Sequence, residues 1–271
     1  MPRAPAVPLK SFLLNTPGVE LWPGGLLRAR SNADARTLSR AELVLRRKRD
    51  GRYLAALLPE GMQPLMPRWM HEPGVDAALD AVDGMHALAR GFDIDGAGEL
   101  PLQPLIEHLD LLGLDEGYGE QTGLELVPEP VALAFAGFDR YRRSLWLTAR
   151  AARAWQFLQH AASTDGIALE AISGYRSHAY QLGIFERKLA RGQTVPEILN
   201  VNAAPGYSEH HSGNALDIGT TDEPPAEESF ERTPAFAWLQ AHAGGFGFVM
   251  SYPRDNPHGI VYEPWHWYYA A

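Results

Sequence analysis

The chain has 271 residues, no cysteine, and 24 basic against 33 acidic side chains, for a net charge of −9. The missing thiols exclude disulfide frameworks, thiolate zinc sites and cysteine nucleophiles, and the acidic balance disfavours nucleic acid and anionic membrane surfaces as partners. No apolar run approaches the ~20 residues that cross a bilayer, and the opening from Met1 to Lys10, with three prolines and no apolar stretch, argues against a cleavable signal peptide.

Residues 1–74 are rich in Pro, Gly and Arg. Within them Glu42–Leu58 predicts a hairpin about Asp50-Gly51, with Ser39 and Glu42 offering the alternative of a capping box that opens a helix. Helical spacing recurs in 75–90 and in 101–112, the latter closed by Gly113. The polar, glycine-rich stretch 115–123 predicts a linker. Beyond it, Leu147, Ala151, Trp155, Leu158 and Ala162 mark a helix face ending near Asp165-Gly166. Ile167–Ile172 predicts a buried strand. Ser177 predicts the cap of a helix to Arg191, with Gly192 just past its end. Thr233-Pro234 opens another helix that stops at Gly244-Gly245, and strands are predicted over Phe246–Tyr252 and Ile260–Tyr269. Helices and strands without βαβ alternation predict an α+β domain over 126–271, preceded by a region of mixed fold over 1–125.

The histidines point to chemistry. Zinc without thiolates takes imidazole nitrogens and carboxylate oxygens and, in catalytic sites, leaves one position open. His210, Asp217 and His266 supply such a set, and Glu263 is a nearby carboxylate suited to general-base work. In a straight strand Glu263 and His266 face opposite sides, so this segment must bend for both to reach one ion. The His-x6-Asp spacing alone is a weak signal.

The composite is far more specific. Ser208-x-His210-x-x-Gly213-x-Ala215-x-Asp217, then Glu263-Pro264-Trp265-His266, and upstream Ser173-Gly174-Tyr175-Arg176-Ser177 with Gln181, resemble in order and rough separation the three motifs of the zinc D-alanyl-D-alanine carboxypeptidases of the vancomycin-resistance type (peptidase family M15). The resemblance covers about residues 130–271. It implies a small antiparallel sheet carrying one Zn2+ per chain with flanking helices. It implies His210, Asp217 and His266 as ligands, Glu263 as the base, and Arg176 as the cation facing the oxyanion. Gln181, Ser208, Tyr175 and Trp265 are then the substrate contacts. The implied substrates are peptidoglycan stem peptides or muropeptides, cut at the terminal D-alanyl-D-alanine bond. An L,D-carboxypeptidase, a peptidoglycan endopeptidase and a non-catalytic zinc-stabilised module are the alternatives; Glu263 and Arg176 speak against the last. Tyr268 stands where the family usually carries Arg, which bears on fine specificity. The substrate class points to the cell envelope, whereas the missing export signal favours the cytoplasm.

Other candidates are set aside. His211 adjoins His210 and, in an extended segment, points away from the metal. His178 and His258 read as surface or supporting residues, and His71, His86, His108, His160 and His242 as structural. Asp93 and Asp95 brush against a calcium loop, but Ala97 and Pro104 occupy two of its ligand places. Gly244–Gly247 lacks the Lys-Ser/Thr pair of a phosphate loop.

Overall fold

The computed structural model describes residues 11–88, 94, 96–114, 116–199 and 203–271. Asp93 and Asp95 lie outside these residues. Two antiparallel sheets carry the described chain. Strands β1 (Phe12–Asn15), β2 (Val19–Pro23), β3 (Leu43–Arg47), β4 (Tyr53–Leu58), β5 (Gly61–Pro64), β6 (Ala132–Phe138) and β7 (Ser144–Leu147) form the first, in the order β5-β4-β3-β2-β1-β6-β7. Strands β8 (Glu170–Ser173), β9 (Ala215–Gly219), β10 (Phe248–Met250) and β11 (His266–Tyr269) form the second, in the order β10-β11-β9-β8.

The predicted hairpin is β3–β4, with Leu43 opposite Leu57 and Val44 opposite Ala56. The capping-box alternative is not realised: helix α1 (Asn32–Arg40) lies earlier and is capped by Ser31, whose side chain accepts the Asp34 N–H. The pleat then sorts residues by face. Phe12, Leu14, Leu21, Leu43 and Leu45 bury one face against α2 (Val75–Leu88) through Val75, Ala78 and Val82. The opposite face carries Glu20, Trp22 and Arg46 and meets the other half of the molecule.

Past α3 (Gln103–Leu111), the stretch predicted as a linker is a helix, α4 (Glu116–Thr122). Gly119 serves packing: a Cβ there would come within 3.1 Å of Leu124 O and 3.3 Å of Tyr207. That close approach lets the Tyr118 ring meet Tyr207 edge-on at 4.8 Å, while the Tyr118 hydroxyl accepts the Ala204 N–H. The first sheet also runs across residue 126, because β6 pairs with β1 and β7 with β6.

Helix α5 (Ala149–Thr164), capped by Thr148, turns Ala151, Trp155, Leu158 and Ala162 into a core shared by β6 and β7 of the first sheet and the strands of the second, as the 3.6-residue spacing requires. Leu147, read with this helix face, ends β7 instead. Helix α6 (His178–Leu189) is capped by Ser177 and followed by α7 (Val195–Leu199). Helix α8 (Pro234–His242) is capped by Thr233 and adds Phe236 and Leu239 to the same core. Only 266–269 of the predicted final strand is extended in the sheet. Residues 263–266 turn, with His266 N–H donating to Glu263 O at 3.1 Å. No described helix is long and apolar enough to cross a membrane.

Candidate metal and catalytic site

The register of the second sheet places His266 of β11 directly opposite Asp217 of β9. The short 3-10 turn Glu209–Ser212 brings His210 above them. One donor atom each from His210, Asp217 and His266 lies within 4.8 Å of the others, and all three side chains are buried. Asp217 Oδ1 is 3.3 Å from His210 Nε2 and 3.1 Å from His266 Nδ1.

The far nitrogen of each imidazole is already engaged. His210 Nδ1 lies 2.8 Å from Gly174 O, and a carbonyl oxygen only accepts, so Nδ1 carries the proton and Nε2 is free to ligate. His266 Nε2 lies 2.8 Å from Glu209 Oε2, which leaves Nδ1 toward Asp217. Ser173 Oγ donates to Asp217 Oδ2 at 2.6 Å, orienting the other oxygen inward. Metal-binding histidines are held in this way by an outer acceptor. Two imidazoles and a carboxylate, buried and pre-oriented, fit Zn2+. Gly174 makes its part possible, since a Cβ there would stand 2.7 Å from Leu145 Cδ1.

Electrostatics follow the packing. Burial pushes Asp217 up, but His210 and His266 overcome this and hold it well below the usual carboxylate range. Burial also raises Glu209, but its hydrogen bonds to His266 and Ser251 bring it below its ordinary value. For His266 burial acts downward, and the hydrogen bonds to Asp217 and Glu209 prevail, raising it to about 10. Glu263 behaves differently. Burial raises it to about 7, with Asp217 and Glu209 acting the same way against His266 and Arg176. Its Oε2 is 3.9 Å from His266 Nδ1, so the turn at 263–266 does bring the two side chains to one spot. A bound cation adds positive charge and favours the ionised carboxylates further.

Arg176 sits at the rim. Its backbone N–H donates to His210 O at 3.1 Å, and its Nη1 donates to Gln181 Oε1 at 3.3 Å. Gln181 is fixed in turn by donating from Nε2 to Ala203 O at 2.8 Å. Ser208 is buried at the start of the 209–212 turn, where its carbonyl accepts the His211 N–H.

One expectation needs correcting. His211 is not in an extended segment pointing away; in the 3-10 turn it is fully buried. Its Nε2 accepts the Gly206 N–H at 3.1 Å, so Nδ1 donates to Arg176 O at 2.6 Å, and burial drives its pKa well below the ordinary value. Of the two readings of His178, the supporting one is realised: it is largely buried, with Nε2 on Val127 O at 2.7 Å and its ring edge-on to His211 at 4.4 Å. The Tyr175 hydroxyl donates to Glu129 Oε2 at 2.6 Å. Trp265 packs against the core of α5 and α8, and Tyr268 pairs with Val249 and Ala215 in the sheet. Sequence reasoning missed Glu209, although its place inside the Ser208–His210 motif and the need of a zinc-binding imidazole for an outer carboxylate could have signalled it.

The profile of the D-alanyl-D-alanine carboxypeptidase family VanY matches residues 144–271. A D-alanyl-D-alanine carboxypeptidase of Enterococcus faecium is 41% identical over 68 residues, which are 24% of this chain and 21% of that protein. The bifunctional D-Ala-D-Ala dipeptidase and D-Ala-D-Ala carboxypeptidase VanXYC of Enterococcus gallinarum is 28% identical over 148 residues, 53% of this chain and 76% of that one. Among solved structures, the vancomycin-resistance D,D-pentapeptidase VanY in complex with Zn(II) shares 30% identity, over 47% of this chain and 74% of that one, with a TM-score of 0.39. Several other curated relatives are spanned only to half their length or less. Residues 144–271, just under half of the chain, thus match the D-alanyl-D-alanine carboxypeptidase family of the vancomycin-resistance type.

Proposed function

We propose that this protein is a zinc-dependent D,D-carboxypeptidase that removes the terminal D-alanine from peptidoglycan stem peptides, using one zinc per chain held by His210, Asp217 and His266. The observation that carries the reading is the convergence of these three buried donors, each oriented from outside, with Glu263 beside them. Zinc in such a donor set supplies Lewis acidity and a water that loses its proton near neutral pH.

The chain's own residues do the rest. Glu263 takes the proton as water attacks the scissile carbonyl, then returns it to the departing amine of D-alanine. Its buried setting suits both duties, because a carboxyl raised toward neutrality accepts and gives up a proton readily. Arg176, held by Gln181, faces the negative charge that grows on the carbonyl oxygen. Gln181 and Ser208 bound the pocket for the terminal residue. A non-catalytic module needs neither Glu263 nor Arg176.

Glu263→Gln tests the reading. Zinc content should stay intact while D-alanine release from a pentapeptide falls by about 10²–10⁴. Release near the wild-type rate from the zinc-replete variant would remove the base. Loss of zinc would make Glu263 a ligand.

A further inference from the structure

We propose that the first sheet and the segment after it build a binding groove for the anionic part of the substrate N-terminal to the cleaved bond. This inference rests on the carboxypeptidase reading for the identity of its ligand. A cleft of about 640 Å³ lies between the face of the first sheet that carries Glu20, Trp22 and Arg46 and the 173–177 segment. That volume falls within the roughly 300–1,000 Å³ of ordinary ligand sites.

The cleft reaches the candidate site at Ser173, which holds Asp217, and at Arg176. Its other wall lies wholly outside the family-matched residues, in Trp22, Arg28, Arg30 and Tyr53. A terminal D-residue is small and enclosed, so whatever extends from the site is the chain upstream of the scissile bond.

Charge identifies what the groove takes. Five arginines line it against two acids, Glu20 and Asp139, in a protein whose net charge is −9. Glu20 is engaged by Arg46 and Asp139 by Arg143, each at 2.5 Å. Arg28, Arg30 and Arg176 make no ion pair with a carboxylate among the described residues. They are held in place by neutral acceptors instead. Arg30 lies 5.0 Å over the Tyr53 ring and donates to Gly51 O at 2.9 Å. Arg28 donates to Tyr141 O at 3.4 Å, and Arg176 to Gln181. Arg176 serves the scissile carbonyl, whereas the guanidinium groups of Arg28 and Arg30, held by neutral acceptors in the cleft wall, suit a carboxylate further upstream. Trp22 and the exposed Tyr180 add ring surface for the peptide backbone. The ligand class is therefore an extended peptide bearing free carboxylates upstream of its D-alanyl-D-alanine terminus.

The test compares two pentapeptides ending in D-alanyl-D-alanine, one with glutamyl side chains upstream and one with glutaminyl in their place. The zinc-loaded wild type should favour the acidic peptide by about tenfold in kcat/KM, mainly through KM. The preference should shrink in about 0.5 M salt, where exposed charges are screened. In Arg28→Gln/Arg30→Gln the ratio should fall to near one, whereas Arg191→Gln, away from the groove, should keep it. Equal use of both peptides by the wild type, or a full preference in the double variant, would overturn the proposal. Fluorescence anisotropy of a labelled acidic peptide lacking the D-alanyl-D-alanine end gives a separate reading. Binding by the wild type and loss in the double variant support the groove even if no peptide is cut, in which case the carboxypeptidase reading alone fails. No binding in either overturns the groove.

Discussion

Lys48, in the turn between β3 and β4, and Glu129, 81 residues further along the chain, form an ion pair with both side chains almost wholly out of water. The pair does more than join two segments. Glu129 Oε2 also accepts the Tyr175 hydroxyl, and Oε1 accepts the His178 backbone N–H at 2.7 Å, so one carboxylate grips both flanks of Arg176. On its other side the same stretch is tied to the metal site through Gly174 O, Arg176 N–H and Arg176 O. Burial raises Glu129, but Lys48 foremost, then His178 and the hydrogen bonds, outweigh it and bring the carboxyl down to about 2.

Removing one partner strands the other. Lys48→Met should cost about 3–5 kcal/mol of stability, because a carboxylate is left unpaired in the interior. Lys48→Met/Glu129→Gln, which removes both charges, should cost less than Lys48→Met alone. Urea unfolding of the three proteins checks this, and a double variant as unstable as Lys48→Met or more so would contradict the pairing.

Stability should also fall in acid, in two stages. His178 is held below its ordinary value of 6.5, first by burial. The unfolded chain therefore takes up this proton before the folded one, and stability declines as the pH drops below about 6.5. Glu129 is depressed from 4.5 to about 2. Its contribution is present above about 4.5 and is lost as the pH falls toward 2. Unfolding midpoints at a series of pH values should show both declines, and His178→Gln should make the first shallower while the share of the buried His211 remains.

Glu209 is predicted to govern metal affinity without touching the metal. It fixes the His266 ring through Nε2 at 2.8 Å. Glu209→Gln should weaken zinc binding by about 10–100-fold, the usual loss when an outer partner is removed, whereas His210→Ala should abolish stoichiometric zinc. Competition against a zinc chelator measures both.

Arg176→Ala should retain zinc and lose about 10²–10³ in kcat, since the charge it meets exists mainly in the transition state. Gln181→Ala, which frees the guanidinium to wander, should show a smaller kcat loss in the same direction. An effect confined to KM would make Arg176 an anchor for the substrate carboxylate.

What the sequence disclosed tracks the kind of signal involved. Caps such as Ser177, Thr148 and Thr233 act over three residues, and the α5 face repeats every turn, so these elements were legible. The His210, Asp217 and His266 set was legible because motifs preserve order and spacing. The first sheet mostly was not, since β1 finds β6 across more than a hundred residues and no local pattern records that pairing. α4 was misread because Gly117 and Gly119 look like linker glycines, while Gly119 clears space for Leu124 and Tyr207. His211 was misread because two neighbouring histidines look alternately placed until the backbone is known to coil between them.

The pairing of Phe12 with Ala134 and Leu14 with Ala132 also bears on how the chain reaches this state. A sheet whose central strands come from distant parts of the sequence must close a long loop before that closure is repaid, so folding should be slow for the chain's size. During synthesis β1 and β2 emerge early, yet the edge of β1 stays bare until β6 arrives. An unpaired, apolar edge of this sort is a template for other chains. The protein is thus most exposed to aggregation before the half that carries His210, Asp217 and His266 has been made, and refolding yield should fall steeply as protein concentration rises.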